Sequence, residues 1–295
     1  MNVNVALRNP FHPGDGYSMG GPTDNVLGLW RIAAPSVDMI SPDIYFRDHK
    51  TVDKVLDLYS RPDNPLFVAE IGNDQPYARY FFSTLGHQGI GFSPFGMDDT
   101  DYANYPLGAK TMDENTIAPF AELYQLVRPF AEVWAKLSFE SEVWGLAEPH
   151  DSFTEQQKIW NANATEPQPA VGDIKPDPEL FTQRLDLGLW NVEITYGRKM
   201  FWIDPPVGNS PASGGVLIAK LSDNEYLLTA LRARVSFSAS DELAASPFIA
   251  RVEEGHFEQG KWVFERVWNG DQTDWGLNFT SKPHLLKVTL STYQH

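Results

Sequence analysis

The chain has 295 residues, with 23 Lys and Arg against 39 Asp and Glu, for a formal charge of −16. That length supports a large core and two domains, while the acidic balance argues against nucleic acid or an anionic membrane as partner, since both require a basic surface. Cysteine is absent, which excludes a disulfide framework and a thiolate metal site.

The first 140 residues repeat one pattern. VNVAL (3–7) reads as a strand, then a Gly- and Pro-rich loop, then a helix from Asp24 to Ala34. VDMISPDIYF (37–46) is the next strand, and 49–61 is a helix with Val52, Val55, Leu56 and Tyr59 on one stripe. Asp48 caps its start and Arg61 suits its last turn. Leu66 to Ala69 forms a short apolar strand that meets an acid, Glu70; a helix follows from Pro76 to Leu85, and 89–93 is a further strand. The long helix that closes this half is interrupted at Pro129.

Residues 141–180 are polar and Pro-rich and read as a linker with one short helix near Glu155 to Trp160. Short strands then dominate: LWNVEITYG, KMFWIDP, GGVLIAKLS, EYLLTALRARVSFSAS, LLKVTLSTY, and a hairpin over 251–268 with a Gln-Gly turn. The expected organisation is therefore α/β plus all-β: βα units over 1–140, a linker over 141–180, and a sandwich-like β domain over 181–295. An open doubly wound sheet competes with a barrel for the first part. No stretch has the roughly 18–20 apolar residues of a membrane span. MNVNVALRNP lacks the regions of a signal peptide and reads as a strand that begins at once, as in a chain missing what came before it.

In βα barrels the polar residues at C-terminal strand ends make the active site. Here those positions hold Asn4, Arg8 and His12 after the first strand, Asp43 and Tyr45 at the second, Glu70 at the third, and Phe95 and Asp98 after the fourth. Period-two alternation places Leu66, Val68 and Glu70 on one face, and Asp43 with Tyr45 on another. A carboxylate at the end of an apolar run needs a partner or a task, because burial without one is costly; a paired structural acid, a helix cap and a functional acid all fit. His12 and Asp15 suit sugar hydroxyls or simple turn chemistry. Asp98, Asp99 and Asp101 lack the Gly and bidentate Glu spacing of a calcium loop and read as a solvated face, as does Asp-rich 269–278. His87 reads as a last-turn charge. Phosphate-cradling glycine motifs, zinc-spaced His pairs and a serine elbow are all missing, so no cofactor or metal is expected.

NPLFVAEIGND, with SPDIYF before it and GIGFSPFGMDD after it, resembles the C-terminal half of a retaining β-galactosidase of the family 35 type. DNEYLLTALRARVSF and VEEGHFEQGKWVFERVWNGDQTDWGLNF are similar to the β domain appended to that barrel in bacterial members. The resemblance covers nearly the whole chain and rests on the order and spacing of the motifs. It implies strands five to eight of a (β/α)₈ TIM barrel, Glu70 as nucleophile, Tyr45 as its hydrogen-bonding tyrosine, and Phe95 lining the sugar subsite. Asp43, Asp98 and His12 join them as substrate-binding candidates, and a full-length parent would be periplasmic or extracellular. The Asn-Glu pair that supplies the acid/base has no counterpart, so the chain by itself is expected to be inactive, with the missing barrel half or self-association completing it. The implied substrate is a terminal β-galactoside. The rival is a non-catalytic carbohydrate-binding or scaffold protein derived from such an enzyme; an aldolase-type barrel is disfavoured because Lys50, Lys54 and Lys110 fall in helices or loops.

Overall fold

A computed structural model describes residues 1–12, 21–98, 100, 102–149, 178–200, 203–243 and 246–293. It shows an α/β unit joined to a pair of antiparallel β-sheets. In the first unit, strand β1 (Asn2–Ala6) leads through helix α1 (Leu27–Ala33) to β2 (Met39–Ile44), and α2 (His49–Tyr59) leads to β3 (Phe67–Ile71). Two short helices, α3 (Gln75–Ala78) and α4 (Tyr80–Gly86), precede β4 (Gly91–Pro94). The four strands are parallel and lie in chain order. Right-handed crossovers that always step the same way put every helix on one face. The order never reverses, which separates this sheet from a doubly wound one.

Local chemistry accounts for the elements. Asp48 caps α2 by accepting the Thr51 N–H at 2.9 Å, and Val52, Val55, Leu56 and Tyr59 form the buried stripe. Arg61 lies beyond the end of that helix and pairs with Asp63 at 2.7 Å. His87 is the C-cap of α4, its Nδ1 at 2.9 Å from the Ser83 carbonyl. The closing helix is divided into α5 (Glu114–Val127) and α6 (Ala131–Glu140) by a 3₁₀ turn at Arg128–Phe130, where Pro129 has no N–H to give.

The segment read as a linker is corrected at its start. Residues Val143–Ala147 form β5, which pairs antiparallel with β8 (Gly215–Ser222) more than sixty residues away. A five-residue strand whose partner is that distant has no signal in its own neighbourhood. The rest of that linker, with the helix expected near Glu155, lies outside the described residues.

The β half has two sheets. One runs β13-β10-β7-β6, from Leu277–Phe279, Ala233–Ala239, Trp190–Tyr196 and Thr182–Asp186. The other runs β12-β11-β14-β9-β8-β5, adding Lys261–Trp268, Ser246–Glu258, Leu285–Tyr293 and Glu225–Leu231. The 225–239 run, continuous in sequence, changes sheet at Arg232, whose φ of 49° turns the backbone between β9 and β10. The hairpin turns at Gln259 and Gly260, φ 50° and 74°, as a primed two-residue loop requires. KMFWIDP does not form the expected strand over its described residues: Met200 instead accepts the N–H groups of Ile203 and Asp204 in a tight turn.

The six-stranded sheet is covered on both faces of β8 and β9. Val216, Ile218, Leu228 and Ala230 face the second sheet, while Leu217, Ala219, Leu227 and Leu231 join the core of the α/β unit. The layers therefore run parallel sheet, helices, six-stranded sheet, four-stranded sheet. The units approach tightly at Gly86 of α4 and Gly145 of β5, where a Cβ on Gly86 would stand 2.1 Å from the Gly145 nitrogen.

Candidate functional site

The parallel sheet has a polar face opposite its helices, and its carboxylates meet there. Asp43 and Glu70 are register partners on β2 and β3, so their side chains leave neighbouring strands at the same level. Strict alternation would put Glu70 on the face of Val68. The register between β3 and β4 shifts between Val68 and Ile71, both fully buried against the helices. These core positions are three steps apart on β3 against two on β4, and the extra residue turns Glu70 to the other face. The alternation reading of Leu66, Val68 and Glu70 is corrected by this bulge.

Two neutral donors hold Glu70. The Tyr45 hydroxyl donates to Oε2 at 2.9 Å, and Asn4 Nδ2 donates to Oε1 at 3.0 Å. Tyr45 follows directly on β2, and its carbonyl accepts the Tyr77 hydroxyl at 2.8 Å, which fixes the backbone from which it projects. Asn4 Nδ2 also lies 3.0 and 3.2 Å from the two oxygens of Asp43. One amide nitrogen thus joins both carboxylates across three strands.

Electrostatics separate the two acids. Asp43 is 8 % exposed, and burial pushes its carboxyl up to about 6, against the pull of the Asn4 bond and with a further push from the Glu70 charge. Glu70 is half-buried. Burial first, then the hydrogen bond to Glu70 and its charge, drive the Tyr45 hydroxyl far above the usual tyrosine range. It stays a donor at any pH the protein meets. One donor on each oxygen fixes how the Glu70 carboxylate is aimed.

The other candidates do not converge on Glu70 through any described hydrogen bond. Phe95 is exposed and packs edge-on against Tyr102 at 5.8 Å, while its N–H is tied to the Ile71 carbonyl. Asp98 closes its own turn, accepting the Thr100 N–H at 2.8 Å and the Thr100 hydroxyl, which hold its carboxyl below the usual range. His12 is exposed, and its N–H bonds Asn9 Oδ1 at 3.2 Å. Arg8 is engaged by Asp24 through two 2.8 Å contacts. Asp15, Asp99 and Asp101 lie outside the described residues.

Sequence reasoning placed Asn4 at a strand end without seeing that it bridges two acids. Glu148 was missed altogether inside the presumed linker. Fully buried at the end of β5, it accepts N–H groups of Asn209, Ser213 and Gly214 at 2.6–2.9 Å and the Asn209 side chain at 2.8 Å. These bonds fasten loop 208–214 to β5; the role is structural. Among the described residues no three His, Cys, Asp or Glu side chains gather as metal ligands. Two described cavities, of about 390 and 320 Å³, lie at the junction of the units and in the β half, and neither is lined by Glu70, Asp43 or Tyr45.

No curated protein matches the chain. Residues 120–280, from α5 through β13, match the family described as Domain of unknown function (DUF5597). That stretch is more than half of the 295 residues and takes in β5 to β13 with the contacts that dock them on the helices, while Glu70 lies before it. On that match, the chain belongs to the DUF5597 family.

Proposed function

We propose that the chain carries the nucleophile side of a retaining glycosidase site for terminal β-galactosides, built on the C-terminal half of a (β/α)₈ barrel with an appended sandwich. The observation that supports this best is the setting of Glu70. It stands at the C-terminal end of a parallel strand, on the face away from the helices, with Tyr45 and Asn4 donating to its two oxygens at 2.9 and 3.0 Å. Parallel strands in chain order suit a barrel segment, whose chemistry gathers at that end.

In this reading a Glu70 oxygen attacks the anomeric carbon while the bond from that carbon to the leaving oxygen breaks. An acid gives that oxygen its proton, and water then releases the sugar from Glu70. The acid is a second carboxyl about 5–5.5 Å from the nucleophile. We assign it to barrel strands that the Asn-Glu motif would mark, and this sequence has no such motif before β3.

A 2-deoxy-2-fluoro-galactosyl fluoride tests the reading, because fluoride leaves with little help from an acid. The expected result is a fluorogalactosyl adduct on the peptide containing Glu70, absent from Glu70→Gln. Labelling of a different carboxylate, or none at saturating reagent, would overturn the assignment. Galactoside binding without labelling would instead favour the non-catalytic binding protein.

A further inference from the structure

Asp43 and Glu70 are fastened to the same nitrogen. Each has an oxygen 3.0 Å from Asn4 Nδ2, so those oxygens are no further apart than twice that distance, about 6 Å. They leave adjacent strands in register, and Asp43 is among the most buried charged groups of the unit. Two carboxylates this close, one of them shielded from water, do not ionise independently.

We propose that Asp43 is a positioning residue for Glu70: through the Asn4 amide the two carboxyls form a coupled pair, in which Asp43 holds the proton and Glu70 the charge. The proposal rests on the glycosidase reading for its role in catalysis, but the coupling stands on geometry alone. Facing two carboxyl groups, the Asn4 amide must turn its NH₂ to both, one hydrogen to each. Asp43 can take up a proton without breaking its bond, because its second oxygen still accepts. Glu70 is supplied with donors on both oxygens and has no reason to take the proton first.

The surroundings of Asp43 agree with this division. Facing or influencing it are Asn4 on β1, Glu70 on β3, and the hydroxyls of Tyr45 and of Tyr59 on α2. Among the described residues no Lys, Arg or His lies within ion-pair distance of Asp43; Arg8 and Arg47 pair with Asp24 and Asp74. With no cation to hold its charge, Asp43 titrates in the mildly acidic range, and burial is the first cause. Above that range the site carries two negative charges, below it one. A glycosyl transition state is oxocarbenium-like and positive, so a second charge beside Glu70 favours it. Hydrolysis that depends on Glu70 therefore rises as Asp43 ionises.

The test is a carbon-13 NMR titration of side-chain carboxyls from about pH 4 to pH 8, with Asp43 and Glu70 assigned by difference from Asp43→Asn and Glu70→Gln. In the unaltered protein Asp43 is expected to titrate at about 6, and the Glu70 signal to shift with it. Asp43→Asn keeps a carbonyl oxygen for the Asn4 N–H and removes the titrating group, so the Glu70 signal should lose its step at about 6. Glu70→Gln should lower the Asp43 titration by about one pH unit, which keeps the test decisive if one variant does not fold. A Glu70 signal with no step at about 6, or an Asp43 titration unmoved by Glu70→Gln, would overturn the pair. Coupling found in a protein that never forms the Glu70 adduct would sink the glycosidase reading alone, whereas an adduct without coupling would sink only the pairing.

Discussion

The Tyr45 hydroxyl stands 2.9 Å from Oε2 of Glu70, joining a residue just past β2 to one near the end of β3. Burial and the Glu70 charge together keep that hydroxyl protonated, so the bond persists across the working pH range. Tyr45→Phe removes the donor and leaves the ring in place. A hydrogen bond to a charged group contributes about 1.5–3 kcal/mol, which corresponds to roughly 10- to 150-fold slower adduct formation at Glu70. The comparison is the inactivation rate of the two proteins with the fluorosugar, alongside circular dichroism to show an unchanged fold.

Asp43 makes stability depend on pH with a definite sign. Its folded value of about 6 lies above the ordinary 3.8 of the unfolded chain, so the folded state binds the proton more tightly. The stabilisation is fully present below the unfolded value and is lost as pH rises through about 6. Asp43→Asn should therefore be more stable than the natural chain at pH 7.5 by about 1–2 kcal/mol, allowing for solvent screening on the open side of the site. The gap should close as pH falls toward about 4. Urea unfolding at both pH values checks it, and an equal gap at both would contradict the assignment.

Gly145→Ala should damage the joint between the units. Its Cβ would stand 2.1 Å from the Phe82 carbonyl oxygen, a backbone atom that cannot yield without moving α4. A loss of about 1–3 kcal/mol is expected. Gly28→Ala is the control, since nothing lies within 4 Å of the added methyl on α1; it should be neutral or stabilising by about 0.5–1 kcal/mol. Denaturant midpoints of both variants give the comparison.

Residues 1–140 should not fold as an independent monomer. Their helical layer is completed by Leu217, Ala219, Leu227 and Leu231 of the six-stranded sheet, and truncation would leave that apolar face to water. β1 and β4 have no further strand neighbour among the described residues, which adds two pairing edges. Sedimentation and thermal melting of the fragment decide the matter: a cooperative, soluble monomer would be the contrary result.

The sequence by itself determined what local chemistry encodes. The α2 stripe and its Asp48 cap, the break at Pro129, the Gln-Gly hairpin and the run of short strands after residue 181 are all set by neighbours within a few residues. It also placed Asp43, Tyr45 and Glu70 at strand ends, because apolar runs stop there. Tertiary structure alone decided the rest. The bulge between Val68 and Ile71 arises from pairing with β4 and reverses the face of Glu70 that alternation implied. Asn4 reaches Glu70 only because three strands lie side by side in register, and no spacing along 66 residues of chain encodes that bond. β5 is a strand because β8 accepts it as an edge, and Glu148 is buried because loop 208–214 surrounds it with donors. Contacts between residues far apart in sequence are chosen by the packing of whole layers, and short segments such as VWGLA take their conformation from the layer that receives them.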